Sequence, residues 1–402
     1  MENAFAVMAI LASVFWSTAV SKFYIESCSG EDKCKSLLGY RIVADTRISN
    51  VVAMFGVTTD EILGSNNYEV AIPEPDDVII QAQELLRIPV SCACSNGIRR
   101  TDSIVYSVRQ EGETLFSISN EVFGGMVTPL QIFQANSNDP GGDLSERGLN
   151  SSTEVAIGKR LLIPFPCACN AGNFKGIPAM FVSYMVQRGE STFEIASLFD
   201  SSVSSVVELN GMQKGSSLAA GDVLEVPIPA CESSFDSRAV DYGLMVPNGT
   251  YTITADRCVQ CSCNYPRLDC TPAPSSSGFP CPAPRCAGSN LKIGEFTTKA
   301  SLQGCQVTSC SYNGFHDSVI FTGLENTNQS TCPVSSPPPT YRQYMPASTP
   351  DSSPIIEPQN IISNQVTPIN AGTAQQSSSS FSSFHHIEKR LLVLTSLTLL
   401  LL

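Results

Sequence analysis

Cysteine is the residue type in this chain with the most chemistry open to it. The spacings in Cys92-x-Cys94, Cys167-x-Cys169 and Cys258-x-x-Cys261 raise the question of zinc binding or of thiol–disulfide cycling. Zinc sites commonly separate paired cysteines by two or more residues, and a high, even count of sixteen is typical of secreted proteins with structural disulfides. We therefore predict disulfides, no metal site and no cofactor.

Acid–base and nucleophilic groups are sparse. The three histidines are His316, His385 and His386, and a Cys–His nucleophile needs a free thiol. A glycan hydrolase needs two facing carboxylates on a rigid scaffold, and the cysteine-dense residues 231–332 are the one segment left open for it. We predict no catalytic residue. A formal charge of −13 also argues against a nucleic-acid partner, which requires clustered Lys and Arg.

Both ends of the chain carry the composition of processing signals. An apolar run at 4–16 is too short to span a bilayer and predicts a signal peptide over 1–21. At the other end, a small-residue run at 377–380 precedes a polar spacer and the apolar tail 391–402. This order predicts a GPI anchor on Ser378 and removal of 381–402. A C-terminal amphipathic helix or a single membrane span is the alternative.

Cysteine density divides the residues between these signals. Segment 231–332 holds ten cysteines and is predicted to be a disulfide module, and 333–380 is rich in Ser, Pro, Thr and Gln. Such a composition cannot bury a core and predicts a disordered stalk. Sequons begin at Asn150, Asn248 and Asn328, which are predicted glycosylation sites.

A repeated pattern fills the region before the disulfide module. We define the first repeat as 40–90, the second as 105–165 and the third as 183–229. Each reads as a short strand opened by a tyrosine, a turn, two short helices closed by an asparagine, and a returning strand. In the second repeat, helix two is expected to bury Leu130 and Ile132, and the third offers Phe193, Ile195, Ala196 and Phe199 as helix positions.

The pattern resembles the LysM domain, a β-α-α-β unit, most specifically in the turns Gly112-Glu113-Thr114 and Gly189-Glu190-Ser191. The resemblance implies an α+β fold of three small LysM domains, followed by the disulfide module and the stalk. The first repeat has Ala44 where the family has a glycine. Relatives among the plant LysM receptors imply the pairings Cys28–Cys94, Cys34–Cys169 and Cys92–Cys167, whereas six cysteines alone allow 15 pairings.

LysM domains bind glycans in a shallow groove between the first turn and the loop after helix two. Carried onto this chain, the groove residues of the second and third repeats are Gln110, Glu111, Gly112, Glu113, Thr114 and Asn136, and Gly189, Glu190, Ser191 and Asn210. The alternative is that these residues only form turns and helix caps. The second repeat is the preferred site.

The resemblance implies a function in pattern recognition at the cell surface. The ligand would be an N-acetylglucosamine glycan, preferably bacterial peptidoglycan, with chitin oligosaccharides as the alternative. A protein held by a GPI lipid needs a transmembrane partner to signal, and a LysM receptor kinase in a homo- or hetero-oligomer is the expected one. A cell-wall glycan hydrolase and a purely structural wall glycoprotein are the competing classes.

Overall fold

The computed structural model describes residues 26–30, 32–70, 74–137, 154–213, 215–274, 281, 285–301, 304–333 and 341–342. All of them belong to one compact unit, Met1–Ala347. The predicted signal peptide, Asn150, Ser378, the C-terminal propeptide and nearly all of the predicted stalk lie outside the described residues. Within the described ranges, no helix has the length and apolar character that a membrane crossing requires.

The first repeat is a strand–helix–helix–strand unit. In chain order it contains β1 (Lys33–Arg41), β2 (Thr46–Arg47), α1 (Ile48–Phe55), α2 (Thr59–Ser65), a 3₁₀ turn at Pro75–Asp77, β3 (Ile79–Ile80) and β4 (Leu85–Ser95). Strands β1 and β4 pair antiparallel. Gly56 ends α1 in the left-handed conformation, with φ of 66°, and a capping box of Thr58 and Glu61 begins α2.

The second repeat has the same order but a shorter sheet. After β5 (Ile98–Thr101) it contains β6 (Val105–Ser107), α3 (Leu115–Ser117), a π-helical turn at Ile118–Val122, α4 (Pro129–Asn136) and β7 (Arg160–Leu162). Strands β6 and β7 form a separate two-stranded sheet. The first helix of this repeat is α-helical for three residues, after which the backbone widens into the π turn.

The third repeat follows a 3₁₀ turn at Asn170–Gly172. Its elements are β8 (Asn173–Phe174), β9 (Ile177–Met185), α5 (Thr192–Leu198), α6 (Val203–Leu209) and β10 (Val223–Glu232). Strand β9 pairs antiparallel with β10 and parallel with β1 of the first repeat. The first and third repeats therefore share one sheet, in the order β11-β10-β9-β1-β4-β5, where β11 is Met245–Pro247 of the disulfide module.

One apolar side chain that was expected to be buried, Leu130, and one apolar side chain that was predicted as a helix position, Phe193, are exposed. Leu130 of α4 has 49% of its surface exposed and Phe193 of α5 has 69%, whereas Ile132 and Ile195 are fully buried. An α-helix turns by about 100° per residue, so residues two positions apart point about 200° from each other. Each of these two-turn helices has one buried face, and Ile132 and Ile195 occupy it.

Disulfides connect the repeats to one another. Cys28–Cys94, Cys34–Cys169 and Cys92–Cys167 span 66, 135 and 75 residues of sequence. These are the pairs that the resemblance implies. Cys92, Cys167 and Cys169 are buried together. Because each repeat encloses little apolar surface, covalent links of this kind supply stability that such small units lack.

The cysteine-rich module consists of two antiparallel three-stranded sheets. One contains β12 (Tyr251–Thr254), β13 (Val259–Asn264) and β14 (Arg267–Pro272), and the other contains β15 (Phe296–Ser301), β16 (Gly304–His316) and β17 (Val319–Gln329). Its disulfides are Cys231–Cys263, Cys258–Cys281, Cys261–Cys270, Cys286–Cys310 and Cys305–Cys332. All sixteen cysteines are thus paired.

Candidate functional site

The turn between β9 and α5 is held by the carboxylate of Glu190. The Tyr184 hydroxyl donates to Glu190 Oε1 at 2.8 Å, and the backbone N–H of Gln187 donates to Oε2 at 2.9 Å. Arg41 of the first repeat donates to the Tyr184 hydroxyl at 2.8 Å and to Glu190 at 3.1 Å. Burial raises the pKa of Tyr184 to about 12, so its hydroxyl remains a donor at neutral pH.

The second repeat contains the same arrangement without the arginine. The Tyr106 hydroxyl donates to Glu113 Oε2 at 2.8 Å, and the N–H groups of Arg109 and Gln110 donate to Oε1 at 3.2 and 3.0 Å. Burial, followed by the hydrogen bond to Glu113, raises the pKa of Tyr106. Glu113 and Glu190 were predicted as groove residues, and in the structure their carboxylates are occupied in shaping the turn.

Glycine makes the outer edge of both turns possible. Gly112 and Gly189 have φ values of 83° and 87°, which side chains with a Cβ adopt only with strain. Nothing lies within 4 Å of where a Cβ would be placed on either residue. Gln110 and Glu111 are exposed beside Gly112. The backbone of each turn therefore faces open space, where a flat ligand can approach closely.

The residues after these turns begin the helices. Thr114 forms a capping box with Ser117, and Ser191 forms one with Glu194. Thr114 is buried and forms a β-bridge with Glu154, so the chain returning from the loop after α4 lies against the turn. Ser191 is exposed.

Asn136 and Asn210 connect the end of helix two to the returning strand. Asn210 donates to the carbonyls of Val206 and Glu225 at 2.7 and 2.8 Å and accepts from the Glu225 N–H at 2.9 Å. Asn136 makes the same three bonds with Ile132 and Leu162. These amides were predicted to lie near the glycan, and their internal bonds make them positioning residues for the loop that follows.

A third asparagine of this kind closes helix two of the first repeat and was not among the predicted groove residues. Asn66 in the first repeat donates to the carbonyls of Ile62 and Arg87 and accepts from the Arg87 N–H. The signal for it was the recurring distance from the opening tyrosine to an asparagine, which is 26 residues in both the first and third repeats. We call Asn66, Asn136 and Asn210 the asparagine clasps.

The first repeat lacks the tyrosine–glutamate turn. Its Tyr40 hydroxyl donates to the carbonyl of Val122 in the second repeat at 2.7 Å. Asp45 accepts instead from the backbone N–H of Ala82 at 2.8 Å. Ala44 and Asp45 thus form a turn that is fixed by the chain entering β4, and the geometry shared by the other two repeats is missing here.

A metal centre has no ligands among the clustered cysteines. Sulfur atoms of Cys34, Cys92 and Cys169 lie within 4.8 Å of one another. Both disulfides that contain them are closed, and metal binding requires thiolates. The cluster is two disulfides packed against each other.

Comparison with known proteins matches the third repeat to a domain family and most of the chain to a group of plant proteins. A LysM domain model matches residues 184–227. LysM domain-containing GPI-anchored protein 3 of Arabidopsis thaliana is 39% identical over 332 residues, which are 83% of this chain and 75% of the relative. LysM domain-containing GPI-anchored protein LYP4 of Oryza sativa subsp. japonica is 39% identical over 341 residues, 84% of this chain and 81% of the relative. The chitin elicitor-binding protein of the same rice is 32% identical over 309 residues, 74% of this chain and 79% of the relative.

Identity and coverage of this extent, together with the eight disulfides and the α+β fold, decide the assignment. The chain belongs to the family of plant LysM domain-containing GPI-anchored proteins, which are extracellular and are held at the membrane by the GPI lipid.

Proposed function

We propose that this protein is a cell-surface receptor that binds N-acetylglucosamine-containing glycans. The observation that carries the proposal is the turn shared by the second and third repeats, in which a tyrosine–glutamate pair fixes the backbone and a positive-φ glycine leaves it open. Backbone N–H and C=O groups held in this way suit the acetamido group of the sugar. On this proposal the first two repeats are divergent LysM domains, and 333–380 is a stalk.

The glycan would lie across the exposed turn residues. In the second repeat these are Gln110, Glu111 and Gly112, and in the third they are Gly189 and Ser191, both exposed. Glu113, Thr114 and Glu190 shape the turns, and Asn136 and Asn210 hold the opposite loop. The second repeat is our preferred site, because the chain returning at Glu154 adds a wall next to Thr114.

Bacterial peptidoglycan is the proposed ligand, with chitin oligosaccharides as the alternative. The relative named chitin elicitor-binding protein supports the acetamido sugar that both polymers share. Signalling would pass to a transmembrane LysM receptor kinase in a complex with this protein. None of the three relatives named above carries an enzyme's name, and we propose no catalytic activity. Clearing of a bacterial cell-wall suspension by the purified protein would contradict this.

Retention on insoluble glycan tests the binding proposal. The mature protein, released from membranes with a phosphatidylinositol-specific phospholipase, is incubated with peptidoglycan or chitin and competed with soluble oligomers of each. We expect Gln110→Trp to reduce retention by about tenfold, equivalent to about 1.4 kcal/mol, because the ring fills the open edge of the turn. The backbone bond from Gln110 to Glu113 does not depend on the side chain. The exposed Gln134→Ala on α4 is the control. Equal retention of Gln110→Trp and wild type would remove this groove from consideration.

A further inference from the structure

The cysteine-rich module packs against helix α2 of the first repeat. The Tyr251 hydroxyl donates to the carbonyl of Tyr68 at 2.6 Å, and Arg257 forms an ion pair with Asp60 at 3.0 Å. A Cβ on Gly64 would come within 2.4 Å of the Tyr251 carbonyl oxygen, so the backbones are in direct contact there. We call this contact, formed by Gly64, Tyr68 and Tyr251, the seam.

Two residues from the predicted stalk lie on this seam. The Tyr341 ring stands edge-on to the Tyr251 ring, with centroids 5.9 Å apart, and its hydroxyl accepts from Gln260 Nε2 at 2.9 Å. Gln260 belongs to β13 and is almost completely buried. The Tyr341 side chain thus fits a place that already has one aromatic neighbour and one hydrogen-bond donor.

Arg342 contacts the first repeat. Its backbone N–H donates to the carbonyl of Asn67 at 2.8 Å, and it forms a parallel β-bridge with Tyr68. Its guanidinium carbon lies 5.6 Å from the centre of the Tyr68 ring, and a terminal nitrogen lies 3.9 Å from Glu84. Asn67 adopts φ of 55° immediately after the Asn66 clasp. A cation over an aromatic ring and beside a carboxylate is a favourable arrangement for arginine.

We propose that the seam is a docking site for the chain's own segment Tyr341–Arg342. Two consecutive residues of a segment whose composition predicts disorder make all of these contacts. They form a backbone hydrogen bond, an edge-on aromatic pair, a hydrogen bond from a buried amide and a cation–π contact. The docked segment joins β13 of the module to the loop after α2 of the first repeat. That loop corresponds to the one that borders the proposed glycan groove in the other repeats. In the first repeat, the chain's own segment therefore occupies this place; only this last step rests on the proposed function.

Cleavage by trypsin after Arg342 tests the docking directly. Tyr341→Ala keeps the arginine that trypsin recognises and removes the aromatic and hydroxyl contacts. In the mature protein, we expect the Arg342–Gln343 bond to be cut about tenfold faster in Tyr341→Ala than in wild type, because a bond is cleaved from its undocked state. Tyr242→Ala, which removes a tyrosine that is 62% exposed on the same module, is the matched control and should match wild type.

Equal cleavage of wild type and Tyr341→Ala would overturn the proposal. Hydrogen exchange of the Arg342 amide in the wild-type protein gives a second measurement. We expect exchange at least about tenfold slower than for an unstructured peptide of the same sequence, since this N–H donates to Asn67. Exchange at the unstructured rate would likewise overturn it. Neither measurement uses a glycan, so failure of the docking proposal is distinct from failure of glycan binding.

Discussion

Glu225 accepts a hydrogen bond of 2.6 Å from the hydroxyl of Ser183 across strands β10 and β9. Glu225 is 1% exposed, and its second carboxyl oxygen is buried without a hydrogen-bond partner. Burial raises the pKa of Glu225 to about 8, against the opposing effect of the Ser183 bond. The group is therefore protonated in the folded protein at neutral pH, in the sheet that joins the first and third repeats.

Stability should decrease with rising pH on account of Glu225. Its folded pKa lies above the unfolded value of 4.5, so the unfolded state releases its proton first. The contribution is complete below the unfolded pKa and is lost as the pH rises through the folded pKa of about 8. Glu225→Gln keeps an acceptor for Ser183 and has no proton to lose. The melting temperature of wild type minus that of the variant should fall between about pH 5 and pH 9. A constant difference would contradict this.

Removing an asparagine clasp should weaken its repeat. Asn136→Ala leaves the N–H and C=O of Leu162 without their partners at 2.8 and 2.9 Å, and each buried group left unpaired costs of order 1–3 kcal/mol. We expect a clear loss of stability in chemical denaturation and faster hydrogen exchange at Leu162. Gln134→Ala, which removes an exposed amide from the same helix, should change neither. Similar behaviour of the two variants would show that the clasp is dispensable.

The Cys92–Cys167 disulfide should be a major source of stability for the repeats. It joins β4 to the segment after β7, and both of its cysteines are buried, so its removal costs a covalent constraint and buried contacts, together on the order of 2–5 kcal/mol. We expect Cys92→Ala with Cys167→Ala to lower the unfolding free energy by up to that amount. The comparison variant lacks Cys258–Cys281, in which Cys281 is exposed, and should lose less because fewer buried contacts are removed. The reverse order would refute this account.

Asn328 should carry a glycan. It heads a sequon near the end of β17 and is exposed. Asn328→Gln should therefore increase gel mobility by the mass of one glycan, and enzymatic deglycosylation should abolish the difference. Asn326→Gln lies two residues earlier on the same strand, outside any sequon, and should migrate as wild type. Unchanged mobility of Asn328→Gln would exclude modification at this residue.

The sequence predicted the local architecture of the repeats well. Thr114 and Ser191 were expected to follow turns and begin helices, and the structure has capping boxes at both. The asparagine positions recur in all three repeats because each clasp bonds within its own repeat, as Tyr106 and Tyr184 do with Glu113 and Glu190. The burial of Leu130 was predicted wrongly, since its short helix buries one face only and Leu130 points about 200° away from the buried Ile132.

The strand–helix–helix–strand units, their turns and their caps could be predicted from the sequence, because they depend on contacts between residues close in the chain. The folded structure was needed to see that Leu37–Gly39 pair in parallel with Val182–Tyr184, that Arg41 reaches Glu190, and that Tyr341–Arg342 meet the seam. Partners more than a hundred residues apart leave no periodic signal in one sequence. Their pairing is selected by packing, by hydrogen-bond satisfaction and by the disulfides that hold the repeats together.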